Sequence, residues 1–98
     1  MYREENRIER HLIRCVKERR GLCFKLISPG NSGVPDRIVL LPNYVPLFIE
    51  LKAPEQKPRP LQEAVMKKIS SVGCKCGVMR LDSISAVDSL INMYDVSQ

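Results

Sequence analysis

Ninety-eight residues, 44% hydrophobic and 28% charged, fit a single globular domain over 1–98 with a modest core. The net charge of +5 favours a polyanionic partner, nucleic acid above all. The charged start MYREENRIER has no signal-peptide core and no apolar run approaches a membrane span, which speaks against secretion or membrane residence and for the cytoplasm.

Residues 4–20 should form the first helix, because Ile8, Leu12, Cys15 and Val16 recur along one face. Gly21 stands where that helix would end. Arg3, Arg7, Arg10, Arg14 and Lys17 form a basic stripe, either a solvated face or a contact for phosphates. Glu9 falls inside the apolar sector, where a carboxylate needs a partner or a metal. Glu5 lies near the same sector, but in the first turn, where the helix dipole already favours an acid. Glu9 is therefore the better site candidate.

LCFKLI (22–27) reads as a strand, and SPGNSG (28–33) as a turn-rich loop with two glycines available for positive φ. Backbone N–H groups of such a loop can hold a phosphate. Strands at 35–41 and 45–52 follow, joined through Pro42, Asn43 and Tyr44. APEQKPRP (53–60) is an extended connector, and Pro60 can open a helix over about 60–72 without losing a hydrogen bond. That helix should turn Leu61, Val65, Met66, Ile69 and Val72 inward, with Gln62 among them as a polar anomaly. CKCGVMRL (74–81) is a short strand. Asp82 or Ser83 caps a last helix with an apolar face of Ile84, Val87, Leu90, Ile91 and Tyr94. The order is α-β-β-β-α-β-α, which favours one mixed sheet with helices on both faces. Cysteines 15, 23, 74 and 76 form no CxxC pair and His11 is the only histidine. That spacing argues against a zinc array and for reduced thiols.

The hairpin carries the chemical signal. If it is symmetric about Asn43, Asp36 lies opposite Glu50, and Lys52 shares their face. Ile38, Leu40 and Phe48 share that face too, while Val39, Leu41, Leu47, Ile49 and Leu51 line the other, so these should be central strands. Two carboxylates about 4 Å apart repel by about 4 kcal/mol at an effective dielectric near 20. Either one takes a proton or a cation sits between them, and Mg²⁺ suits such an all-oxygen site. A neighbouring lysine would then orient or deprotonate water, or stabilise charge on a phosphate. Lys57 and Arg59 in the connector, with Lys25, Ser32 and Arg37 near the acids, are the candidate DNA contacts.

Pro35-Asp36 followed by Glu50-Leu51-Lys52 resembles the PD-(D/E)xK nuclease superfamily. GVPDRIVLL…FIELKAP…LQ is similar, more narrowly, to its VRR-Nuc family of stand-alone viral type, from about Glu9 to Leu81. The resemblance implies a restriction-endonuclease-like αβββαβ core with a mixed four-stranded sheet, here extended by a C-terminal helix. It implies a Mg²⁺ or Mn²⁺ site held by Asp36, Glu50 and the backbone carbonyl of Leu51, with Glu9 reaching it directly or through water. Lys52 would serve the hydrolytic water and Gln62 would complete the site. The implied activity is endonucleolytic, leaving 5′-phosphate and 3′-hydroxyl ends. A homodimer resolving four-way (Holliday) junctions is the expected form. A flap or restriction-like nuclease, or a branched-DNA-binding module without catalysis, is the alternative.

Overall fold

The computed structural model describes residues 3–54, 56–57 and 59–97. Along the chain run α1 (Arg3–Glu18), β1 (Leu22–Lys25), β2 (Arg37–Leu40), β3 (Leu47–Leu51), α2 (Pro60–Ser71), β4 (Gly77–Leu81) and α3 (Ile84–Ser97). The strands form one sheet in the order β1-β2-β3-β4. β1–β2 and β2–β3 pair antiparallel, and β3–β4 pairs parallel. A parallel neighbour cannot be reached by a tight turn, so α2 serves as the crossover. The mixed α/β architecture is the expected one, with β2 and β3 central. Among the described residues no helix is long and apolar enough to cross a membrane.

The strands are shorter than their apolar runs. β2 starts after Pro35-Asp36 and β3 after Pro46, because proline has no N–H to give to a ladder. Between them Tyr44 N–H donates to Leu41 C=O at 3.1 Å. Pro42 takes the first central position of this turn, and Asn43 the second with φ of 60°. The end of α1 differs from expectation in a similar way. Arg20, not Gly21, adopts the left-handed conformation, with φ of 61°. Gly21 is needed for closeness instead: a Cβ there would stand 2.5 Å from the Leu40 carbonyl oxygen.

Alternation along the strands separates two faces. Val39, Leu41, Leu47, Ile49, Leu51 and Leu81 pack with Ile8, Leu12, Cys15 and Val16 of α1 and with Val87, Leu90, Ile91 and Tyr94 of α3. The helix faces read from periodicity are thus the buried ones. Ser83, not Asp82, caps α3, its Oγ accepting from Ala86 N–H at 3.0 Å. Tyr94 ties α3 to the hairpin by donating its hydroxyl to Pro42 C=O at 3.2 Å and by an edge-on contact with Tyr44.

The other face is covered by α2 alone, which lies against β4, with Met66 and Ser70 beside Val78. Only Gln62 and Val65 of α2 are buried. Leu61 and Val72, expected to face inward, are 52% and 71% exposed, because a single helix cannot span this sheet face. Leu22 and Phe24 on β1 stay more than half exposed on the uncovered part.

Candidate active site

The β2–β3 register pairs Arg37 with Ile49, Ile38 with Phe48 and Val39 with Leu47. Each pair is centred on Asn43, so continuing the same register sets Asp36 against Glu50. Asp36 lies one residue before the ladder, and its side chain replaces the next ladder acceptor: Oδ2 takes the Leu51 N–H at 2.8 Å. That bond holds the Leu51 peptide against the acidic pair. On the far side, Lys52 N–H donates to Leu81 C=O at 3.1 Å, which fixes the Glu50-Leu51-Lys52 segment between β2 and β4.

Glu50 is 1% exposed, and neither carboxylate oxygen has a hydrogen-bond donor among the described residues. Lys52 is also buried, and its Nζ stands 3.7 Å from Glu50 Oε2, an ion-pair distance too long for a hydrogen bond. A buried, unsatisfied carboxylate is costly. Its pKa accordingly rises to about 7, first through burial and then through the charge and closeness of Asp36, while Lys52 and Arg59 pull it back.

A third acid joins this group, and it is Glu5 rather than Glu9. Glu5 is buried; burial and Asp36 raise its pKa, while Lys52 and Gln56 lower it. Glu9 lies one turn further along α1 and accepts from Arg37 Nε at 2.9 Å. Two of the expected site residues meet each other here. Arg37 follows Asp36 directly, so its side chain must point to the opposite face of β2. There it meets Glu9 in a half-buried ion pair. Favouring Glu9 rested on Glu5 being explained by the helix dipole. Burial of Glu5 argues for it instead, and only the packing of α1 supplies that.

Gln62 is buried as its anomalous position suggested, but its Oε1 accepts from Arg59 N–H at 3.3 Å, and it makes no hydrogen bond to Asp36 or Glu50. It closes half of a capping box at the start of α2; the Arg59 guanidinium has no acceptor with which to close the other half. Gln56 was not singled out from sequence. Its Oε1 accepts from Ala53 N–H at 2.7 Å, folding the connector over the site beside Glu5.

Around the acids the surface is basic. Lys25, Ser32 and Asp36 line one shallow cleft of about 240 Å³ with the 28–35 loop. Lys57 and Arg59 are exposed in the connector. Arg80 was missed: it pairs in register with Glu50 across β3–β4, so it emerges on the same face. The loop of that cleft seats Gly33 under α2, where a Cβ would stand 2.8 Å from both the Leu61 carbonyl oxygen and a Val65 methyl. Gly33 is present for close approach, not for a positive φ; Gly30 has that role, with φ of 78°.

Asp36, Glu50 and Glu5 with Lys52 carry a formal charge of −2. Two buried Glu50 oxygens without a donor, beside further carboxylates, fit a hard divalent cation.

Over 88 residues the chain is 38% identical to "Putative nuclease p44" of Acyrthosiphon pisum secondary endosymbiont phage 1, covering 90% of this chain and 95% of that protein. A solved structure described as a VRR_NUC domain matches with a TM-score of 0.82 and 33% identity, covering 93% of this chain and 97% of that one. No protein-family model matches the chain.

Proposed function

The chain belongs to the VRR-Nuc family and is a nuclease, and from that premise we propose that it is a Mg²⁺- or Mn²⁺-dependent endonuclease that cuts branched DNA, four-way junctions first, as a homodimer. The observation that carries the metal requirement is the pair of buried Glu50 oxygens with no donor, facing Asp36. Asp36 and Glu50 would hold the ion, with the Leu51 carbonyl and Glu5 beside them. When bound it supplies Lewis-acid stabilisation of the phosphate and lowers the pKa of water.

The remaining roles fall to the chain's own side chains. Lys52 stands 3.7 Å from Glu50, where its ammonium orients the attacking water and stabilises charge developing on the phosphate. Gln62 acts as a positioning residue, holding the start of α2 and with it Arg59. Arg59, Lys57, Lys25, Ser32 and Arg80 supply the phosphate contacts. The reaction belongs in the cytoplasm, the host's for a virally encoded chain, where four free cysteines stay reduced.

Branched DNA is favoured because one 98-residue protomer with +5 charge engages only part of a junction, while two bring two sites to opposing strands. The partly uncovered sheet face at Leu22 and Phe24 offers apolar area for self-association. The test is a panel of end-labelled junction, flap and linear duplex with Mg²⁺, Mn²⁺ or EDTA, combined with a light-scattering mass. Paired cuts in the junction, dependent on metal, from a particle twice the protomer's 11.2 kDa are expected. Preferential cutting of flap or linear duplex would replace the substrate assignment. Junction binding without cleavage in either metal would refute the enzyme assignment.

A further inference from the structure

A second group of metal-ligating side chains lies away from the acidic site, at the seam of α1 and α3. His11 and Cys15 are four residues apart on α1 and therefore share a face. Asp88 reaches them from α3. Their ligand atoms all lie within 4.8 Å of one another. Asp88 Oδ1 is 2.6 Å and Cys15 Sγ 3.6 Å from the same atom, His11 Nε2. The other ring nitrogen, Nδ1, is 2.7 Å from an Arg14 guanidinium nitrogen.

One ring proton lies between two possible acceptors, the Asp88 carboxylate and the Cys15 sulfur. Arg14 can only donate, so Nδ1 must accept and the ring proton sits on Nε2. Donated to Asp88, that proton leaves the Cys15 thiol facing an N–H. A cation in its place would be bound by imidazole, carboxylate and thiolate together. We infer that His11, Cys15 and Asp88 form a Zn²⁺ site that clamps α1 to α3.

The donor set selects the ion. A thiolate with an imidazole favours zinc and disfavours Mg²⁺ and Ca²⁺, which want oxygen alone. On binding, the thiol proton leaves to solvent. The Nε2 proton is given up and Nδ1 is protonated, and the exposed Arg14 side chain releases Nδ1. Thiolate and carboxylate then balance the two charges of the ion. Of the three ligands, His11 lines a cleft of about 330 Å³ with Arg7, Arg10, Arg14 and Ile84, from which water would supply a fourth ligand. Spacing alone hid the site, because its third ligand comes from a helix 73 positions beyond Cys15.

The test uses Co²⁺ as a spectroscopic probe and Zn²⁺ as competitor, on full-length protein stripped with chelator. Cys74→Ser and Cys76→Ser are included so that the outer thiols do not contribute. Expected are one equivalent of tetrahedral Co²⁺ with a near-ultraviolet thiolate charge-transfer band, displacement by Zn²⁺, and a higher thermal midpoint with Zn²⁺ but not with Mg²⁺. Cys15→Ala should abolish the band. Asp88→Asn, at an exposed position, should leave the metal-free midpoint nearly unchanged and weaken Zn²⁺ binding by about 100-fold or more, beyond what loss of an outer-shell group costs. Absence of the band at equimolar Co²⁺, or its persistence in Cys15→Ala, overturns the inference. Should Cys15→Ala not fold, an undiminished Zn²⁺ shift in Asp88→Asn does the same.

Discussion

Glu50 concentrates the chemistry in one side chain. Its raised pKa has a definite sign in stability. Between the ordinary glutamate value and about 7, the folded protein holds a proton that the unfolded chain has released. Metal-free stability should therefore be full at the acid end of this window and fall as pH rises through it, by on the order of 2–3 kcal/mol. Glu50→Gln should flatten that slope in urea titrations at several pH values, and a divalent ion should restore the wild-type protein most at high pH. A slope unchanged in Glu50→Gln would place the titration elsewhere. The two glutamates of α1 separate equally cleanly. Glu5→Gln should lower the cleavage rate more than about tenfold with folding intact, since it removes one charge facing the proposed ion. Glu9→Gln should leave the rate of the folded enzyme near normal but cost about 1–3 kcal/mol of stability, because it strands the half-buried Arg37. Asp36, Glu50 and Lys52 were legible in the sequence because charge inside apolar alternation is conspicuous. Glu5 was not, because a first-turn acid has an ordinary explanation that only burial defeats.

At the level of elements, the hairpin does most to build the site. Pro42 and Asn43 set its turn, the turn sets the register, and the register brings Asp36 to Glu50. This chain of cause could be followed from sequence, since symmetry about one residue is a geometric statement. The ends of elements were less legible, because they depend on tertiary contact. Gly21 and Gly33 illustrate why: composition suggests freedom in φ, while the folded chain uses both for close approach. Gly33→Ala should force the loop away from Leu61 and Val65 and cost about 1–3 kcal/mol. Thermal melts would measure it, and cleavage should fall as well, because the displaced loop carries Pro35-Asp36. A neutral Gly33→Ala would mean that α2 moves aside freely.

For the molecule as a whole, the sheet is thickly covered on one face by α1 and α3 and thinly on the other by α2. The order of elements and the mixed sheet were legible because periodicities of two and 3.6 residues separate well here. The thin covering was not, since α2 carries enough apolar residues for a buried helix yet leaves Leu61 and Val72 in solvent. The acids sit at one end of this sheet, with Lys25, Lys57, Arg59 and Arg80 around them. Junction binding should weaken steeply with salt, log Kd against log salt having a slope of several units, as phosphate contacts release counterions. A nearly flat salt dependence would remove the basic rim from the interface. The most direct measurement is single-turnover cleavage of a labelled four-way junction by wild-type and Glu50→Gln protein, with Mg²⁺ and with EDTA. Expected are metal-dependent cutting by the wild type and a loss of at least about 100-fold in Glu50→Gln with junction binding retained. Cutting that persists in EDTA, or a Glu50→Gln rate within tenfold of wild type, would contradict a cation held at this carboxylate.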